Sequence, residues 1–80
     1  MSNIKDEILE IISKALEVDN KKIDFDSSVE NVDEWDSLGH LSILVSLDKK
    51  FNGNLSGIKE MASIDSVKSI FKILENNNLI

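Results

Sequence analysis

Apolar residues recur at helical spacing in three long stretches of the chain. These stretches run from about Ile4 to Glu17, from Ser37 to about Phe51 and from about Ile64 to Glu75. Because side chains three and four residues apart share one face of a helix, each stretch predicts an amphipathic helix. A shorter apolar group, at Ile58, Met61 and Ala62, predicts one more short helix before the last. The chain lacks proline and has only three glycines, so we expect an all-α four-helix bundle formed by one domain, residues 1–80.

Polar residues at the borders of these stretches predict where the helices begin and end. Ser2 or Asn3 can cap the first helix, because a side-chain oxygen at that position accepts from the free N–H groups of the first turn. By the same rule, Ser56 is expected to cap the short helix and Ser63 the last one. The turn residues Asn52-Gly53-Asn54 predict the break that follows the second helix.

A long polar connection, from about Asp19 to Asp36, separates the first two helices. A connection of this length without regular structure is uncommon in a compact domain and is often functional. Its spaced apolar residues predict that it is pinned to the core, with a helical turn near residues 28–32. These apolar residues are Ile23, Phe25, Val29 and Val32.

Within this connection, the segment from Asp24 to Val29 resembles the beginning of a calcium-binding loop. Such a loop needs glycine at its sixth position and a bidentate glutamate at its twelfth. Val29 and Trp35 stand at those positions, so calcium binding is not expected. We interpret the segment as a solvated acidic loop.

The start of the second helix is the candidate functional site. Asp36 is a good N-cap residue, which places Ser37 at the first, exposed position of the helix. Unpaired N–H groups and the positive end of the helix dipole meet at that position, and both attract a phosphate group. We therefore interpret Ser37 as the functional residue and the rest of the chain as its scaffold.

The apolar residues of the second helix divide between two nearly opposite sides. One side carries Ile43, Leu44, Leu47 and Phe51, and the other carries Leu38, Leu41 and Val45. A helix that rests on a single core needs only one apolar stripe. We therefore expect the first group in the core and the second group exposed beside Ser37, as a strip for docking a partner. The alternative is that both sides are buried, for example under the long connection.

Two residues in the first turns of this helix need a separate interpretation. Gly39 costs up to about 1 kcal/mol relative to alanine, so it either permits close approach of a prosthetic group or partner or is tolerated near the helix end. His40 falls on the core side by its angular position. Because no cluster of catalytic residues accompanies it, we interpret His40 as a structural histidine at the core edge.

Composition narrows the expected partners and compartment. The formal net charge is −6, and every basic residue is a lysine. Arginine is the usual residue for bidentate phosphate and base contacts, so we expect basic patches on other proteins, rather than nucleic acid, as partners.

The chain has no cysteine, and no segment approaches the roughly 18 apolar residues of a membrane span. We expect a cytoplasmic monomer without a membrane span. No catalytic constellation or metal-ligand spacing is present, so an enzyme is not expected.

The motif Asp36-Ser37-Leu38 at the start of the second helix resembles the acyl carrier protein family. The similarity covers nearly the whole chain, from the first amphipathic helix to the last. It includes the Ile23-to-Ser28 part of the long connection, Leu47 and Phe51 after the motif, and the entry to the last helix through Ser63-Ile64-Asp65.

This resemblance implies that Ser37 is the attachment point for a 4′-phosphopantetheine arm. A phosphopantetheinyl transferase would move the arm from coenzyme A to the serine, with Mg²⁺ needed only during the transfer. The resemblance also implies that Asp36 helps to position that metal, besides capping the helix. The carrier would then hold acyl groups as thioesters for acyl-activating, ketosynthase or acyltransferase enzymes of fatty-acid, polyketide or other secondary biosynthesis. In many members a cavity in the bundle shelters the acyl chain.

The chain departs from the family pattern on the face that partners read. In members that serve fatty-acid synthesis the second helix is densely acidic. In this chain Asp48 is the clear acid of the second helix, and two lysines follow Asp48. Trp35 replaces the small residue often found before the motif. We add Trp35 and Asp48 to the predicted docking residues Leu38, Leu41 and Val45, and we expect a specialised rather than a housekeeping carrier.

Two other functions stay open at this point. An aminoacyl or peptidyl carrier, such as a D-alanyl carrier, shares the fold, the serine and the arm and differs only in its cargo. An acidic helical interaction domain without a prosthetic group would use Asp36 and Ser37 only as a helix cap.

Overall fold

Helices are the only regular secondary structure in residues 3–80, the part of the chain that the computed structural model describes. The prediction of an all-α protein is therefore confirmed. Three α-helices and two short 3-10 helices alternate with turns and connections. The α-helices are α1 (Ile4–Ala15), α2 (Ser37–Lys50) and α3 (Val67–Asn76), and the 3-10 helices are Asn20–Lys22 and Lys59–Ser63.

A four-helix bundle is not confirmed, because the segment predicted as a short third helix forms a 3-10 helix. This segment, Lys59–Ser63, has only five residues, too few to offset the cost of nucleating an α-helix. Ser56 does not cap it: the hydroxyl donates to the Gly53 carbonyl instead, at 3.0 Å. Met61 nevertheless turns into the core and is 3% exposed, so the segment still closes one side of the molecule.

The core contains residues from α1, α2 and α3, and the predicted stripes supply it. The fully buried apolar side chains are Ile8, Ile12, Ile43, Leu47, Val67, Ile70 and Leu74. The first helix begins as predicted, because the Asn3 side chain accepts from the Asp6 N–H at 2.9 Å. The alternative cap, Ser2, lies outside the described residues.

The long connection is held to the core and to the start of α3. Ile23 and Val32 are buried as predicted, whereas Phe25 and Val29 are 45% and 43% exposed. The predicted turn is present: the Val32 N–H donates to the Ser28 carbonyl at 3.0 Å. Phe25 covers Phe71 of α3, with 5.2 Å between ring centroids. The connection is therefore ordered along its length, although half of its apolar residues stay at the surface.

The last helix begins three residues later than predicted, at Val67. Residues 64–66 are extended instead, because a two-bond bridge ties them to the long connection. The Val29 N–H donates to the Asp65 carbonyl at 2.9 Å, and the Val67 N–H donates to the Ser27 carbonyl at 3.0 Å. Ser66, rather than Ser63, is the N-cap, and it forms a reciprocal capping box with Ser69.

None of the helices within residues 3–80 is long and apolar enough to cross a membrane.

Candidate functional site

The long connection ends at Asp36, which caps α2. The Asp36 Oδ1 atom accepts from the Gly39 N–H at 2.9 Å, and the Asp36 carbonyl accepts from the His40 N–H at 2.8 Å. The backbone of Asp36 is extended, as an N-cap residue requires. The predicted cap is confirmed, and it fixes Ser37 as the first residue of α2, with its side chain exposed.

Two backbone donors beside the serine hydroxyl are available. Among the described residues, the Ser37 and Leu38 N–H groups have no hydrogen-bond partner, since the Asp36 cap uses only the next two. Free N–H groups at a helix N-terminus, together with the helix dipole, stabilise a negative charge placed there. The residues therefore fit a phosphodiester attached to the Ser37 Oγ atom.

An open groove of about 540 Å³ begins at Ser37 and runs between α2 and the long connection. It brings together residues that are distant in sequence, since Val29 of the long connection lines it together with residues of the first turns of α2. Its walls are mainly apolar. The lining residues are Val29, Trp35, Asp36, Ser37, His40 and Leu41.

Trp35 lies in the core, which corrects its assignment as a docking residue. The side chain is 3% exposed and belongs to the cluster of buried apolar residues, so a partner cannot rest on it in this conformation. Its Nε1 atom is buried and has no acceptor within residues 3–80. Leaving such a donor unpaired costs about 1–3 kcal/mol. Sequence position alone did not show this, because a large aromatic residue next to an exposed serine is equally compatible with a surface location.

The apolar strip of Leu38, Leu41 and Val45 is exposed, as predicted. These side chains are 76%, 58% and 57% exposed, respectively. On the opposite side of α2, Ile43 and Leu47 are fully buried. The alternative of burial on both sides is therefore wrong. Nothing between Ser37 and Leu47 on α2 carries a formal charge when His40 is neutral, so the strip is uncharged along three turns.

Asp48 has a structural contact that its assignment as a docking acid did not include. Its Oδ1 atom accepts from the Leu55 N–H at 3.1 Å, and its carbonyl accepts from the Gly53 N–H at 2.8 Å. The residue is only partly exposed. Asp48 therefore anchors the turn after α2, and this role uses one of its two carboxylate oxygens.

Gly39 is required by packing inside the protein. A Cβ atom at this position would lie 2.6 Å from the Leu16 Cδ2 atom and would also collide with the Glu34 carbonyl oxygen. This glycine is therefore not merely tolerated near the helix end: it permits the close approach of the chain's own Glu34 carbonyl and Leu16 side chain. The contact holds the end of the long connection against the first turn of α2.

His40 joins α2 to the second 3-10 helix. Its Nε2 atom lies 3.1 Å from the Ala62 carbonyl oxygen. Because a carbonyl oxygen only accepts, this contact requires the hydrogen on Nε2. The ring is half-buried at the edge of the core, which confirms the predicted structural position.

Glu34 forms an ion pair next to the site. The Lys22 Nζ atom lies 3.0 Å from the Glu34 Oε2 atom and joins the two ends of the long connection. The hydrogen bond from Lys22 is the main cause that holds the pKa of Glu34 below its ordinary value of 4.5, and a backbone hydrogen bond adds to it. The carboxylate therefore stays ionised near Ser37 at neutral pH.

The described residues contain no group of three histidine or acidic side chains placed to hold a metal ion. Comparison of the chain with protein-family models found no matching family, and comparison with curated proteins found no relative.

Proposed function

We propose that the protein is a carrier that holds acyl intermediates as thioesters on a 4′-phosphopantetheine arm attached to Ser37. The observation that carries this proposal is the exposed hydroxyl at the first position of α2, next to two unpaired N–H groups. A phosphodiester formed there gains both hydrogen bonds and the helix dipole. The proposal includes the carrier-type bundle, with the 3-10 helix Lys59–Ser63 in place of a short third helix.

In the proposed transfer, the Ser37 Oγ atom bonds to the phosphorus that carries pantetheine in coenzyme A. The nucleotide part of coenzyme A leaves, and the transferase accepts the serine proton. Asp36 keeps the hydroxyl at the helix end, and its carboxylate would help to hold a Mg²⁺ ion, which would stabilise the charge of the phosphates during transfer. The thiol of the attached arm supplies the thioester chemistry, and all bond-making on the cargo belongs to partner enzymes.

The strip of Leu38, Leu41 and Val45 is the proposed docking surface for these enzymes. It lies on the same helix as Ser37, so a partner seated there receives the arm at a fixed position. Burying exposed apolar surface favours association without requiring charge. We infer that partners of this protein have apolar docking faces and belong to a specialised pathway, in the cytoplasm, with the carrier acting as a monomer.

A pocket of about 270 Å³ between α2 and the second 3-10 helix supports an acyl rather than a charged cargo. Its lining is predominantly apolar, and Asp48 is its one charged residue. The lining residues are Leu44, Val45, Asp48, Leu55, Ser56, Ile58, Met61 and Ala62. An aminoacyl cargo would place an ammonium group against mainly apolar side chains, among which only Asp48 could pair with it.

The modification itself tests the proposal. Unmodified protein is incubated with coenzyme A, Mg²⁺ and a broad-specificity phosphopantetheinyl transferase, and its intact mass is measured. We expect one added pantetheine phosphate per chain. A folded protein that gains no mass would refute the carrier function and leave the acidic interaction domain as the better explanation.

Docking is tested by Leu41→Glu in the same assay. Because Leu41 is exposed, the variant should fold normally, as judged by circular dichroism, and be modified at least ten-fold more slowly. Asn76→Glu adds the same charge at the exposed end of α3 and should leave the rate unchanged. Equal rates for both variants would remove the strip from the transferase interface.

A further inference from the structure

Two aromatic rings meet at the surface between the long connection and α3. Phe25 and Phe71 have 5.2 Å between their ring centroids and an interplanar angle of 39°. Phe71 is nearly buried, but Phe25 leaves 45% of its surface in solvent. Both rings line an open pocket of about 260 Å³. Because aromatic rings contribute large apolar contact areas at protein interfaces, this pocket can receive an apolar side chain of another molecule.

Three of the nine basic residues line the same pocket, although the protein carries a net charge of −6. One lysine comes from α1 and two come from α3, and one acid, Glu75, lines the pocket with them. The pocket is therefore bordered by positive charge in an acidic protein. We call these residues the lysine–phenylalanine patch: Lys5, Phe25, Lys68, Phe71 and Lys72.

Contacts within the fold do not neutralise these lysines. Within residues 3–80, Lys5 and Lys72 form no ion pair. Lys68 lies 3.3 Å from an Asp26 carboxylate oxygen, but both side chains are well exposed, and such pairs contribute little to stability. Lys68 and Lys72 are also four residues apart on one face of α3, where like charges repel each other. A carboxylate from another molecule can therefore approach these ammonium groups without displacing a strong internal contact.

We propose that the lysine–phenylalanine patch binds an acidic segment of a partner protein, which inserts one large apolar side chain into the pocket. Carboxylates on either side of that side chain pair with the lysines, so charge and shape select the segment together. The patch shares no residue with the groove at Ser37 or with the strip of Leu38, Leu41 and Val45. It is therefore a second interaction surface, and it does not depend on the proposed carrier function.

The size of the patch favours a protein segment over a membrane or a nucleic acid. Recognition of anionic lipids typically uses about 4–8 clustered basic residues, whereas three lysines border this pocket. The chain also lacks arginine, the usual residue for bidentate phosphate contacts. An extended anionic surface would meet the repulsion of an acidic protein, whereas a short acidic segment meets only the patch.

Binding is measured by NMR on the unmodified ¹⁵N-labelled protein, so the result is independent of modification at Ser37. The probe is a peptide with one phenylalanine and two glutamates on each side of it. We expect the peptide to shift the amide signals of Phe25 and Lys72 and to leave those of Leu41 and Val45 in place. A peptide with glutamines for glutamates, or with alanine for phenylalanine, should bind about five-fold more weakly.

Matched variants separate the patch from the overall charge. Lys72→Glu changes an exposed side chain, so it should fold normally, as judged by circular dichroism, and bind the peptide about ten-fold more weakly. Lys59→Glu makes the same charge change on the second 3-10 helix and should have a much smaller effect. Phe25→Ala should weaken binding without changing the charge.

Three results would overturn the proposal. The first is no binding at millimolar peptide, and the second is an equal loss of binding in Lys59→Glu and Lys72→Glu, because only the net charge would then matter. The third is binding to phosphatidylserine vesicles but not to the peptide, which would assign the patch to a membrane surface.

Discussion

The two sides of α2 contain the same kinds of residue and have opposite environments. Leu47 and Ile43 are fully buried in the core, whereas Leu41 and Val45 are 58% and 57% exposed. Helical periodicity separates the two groups, but only one of them is needed to build the core. The exposed side is therefore available for contacts with other molecules, and Ser37 lies at its end.

The largest expected effect comes from truncating one leucine on each side. Leu47→Ala removes fully buried methyl groups and should lower the free energy of unfolding by about 2–5 kcal/mol. Leu41→Ala, the matched change on the exposed side, should alter it by no more than about 0.5 kcal/mol. Urea unfolding followed by circular dichroism measures both. Similar losses for the two variants would mean that Leu41 is part of the core.

Gly39 extends the buried side into the first turn of α2, and Gly39→Ala tests this. Alanine favours helix by about 1 kcal/mol, but the added Cβ atom collides with Leu16 and with the Glu34 backbone. Overpacking of this kind typically costs about 1–3 kcal/mol, so we expect a net loss of stability. A more stable variant in thermal unfolding would show that the long connection moves away without cost.

Asp36 is the N-cap of α2, and two substitutions separate its role as a helix cap from its proposed role in the transfer to Ser37. Asp36→Ala removes the cap and should cost about 1 kcal/mol in unfolding free energy. Asp36→Asn keeps a good cap but removes the carboxylate, so stability should be nearly unchanged while modification of Ser37 becomes slower. If Asp36→Asn is modified at the normal rate, the carboxylate has no part in transfer beyond capping.

The smallest effect concerns the ion pair behind the site. Because the pKa of Glu34 is lowered in the folded protein, its ionised form adds stability above the unfolded pKa, and this stability is lost as pH falls through the folded pKa. Lys22→Gln should therefore flatten the dependence of unfolding free energy on pH below about 5. It should leave the exposure of Leu38, Leu41 and Val45 unchanged. An unchanged pH dependence would mean that Lys22 does not hold the Glu34 carboxylate in solution.

The sequence pattern was sufficient to predict the features that depend on contacts between residues close together in the chain. The Asp36 cap, the stripe on α1 and the division of α2 into two sides all depend on residues within four positions of each other, and all are confirmed. The exposure of Leu41 follows from the same spacing. These features place the candidate serine at the exposed start of α2.

Contacts between distant segments account for what the pattern missed. The burial of Trp35 and the need for Gly39 depend on how the long connection packs on α1 and α2. The late start of α3 depends on the bridge between Ser28 and Ser66. Local propensities do not contain this information, because each contact joins residues that helical periodicity treats as independent.

The most direct test of the central claim is the site of modification. After incubation with coenzyme A, Mg²⁺ and the transferase, the intact masses of wild type, Ser37→Ala and Ser42→Ala are compared. We predict one adduct on wild type and on Ser42→Ala, whose serine lies farther along α2, and none on Ser37→Ala. An adduct that survives Ser37→Ala, or none on the folded wild type, would contradict the assignment of Ser37 as the attachment point.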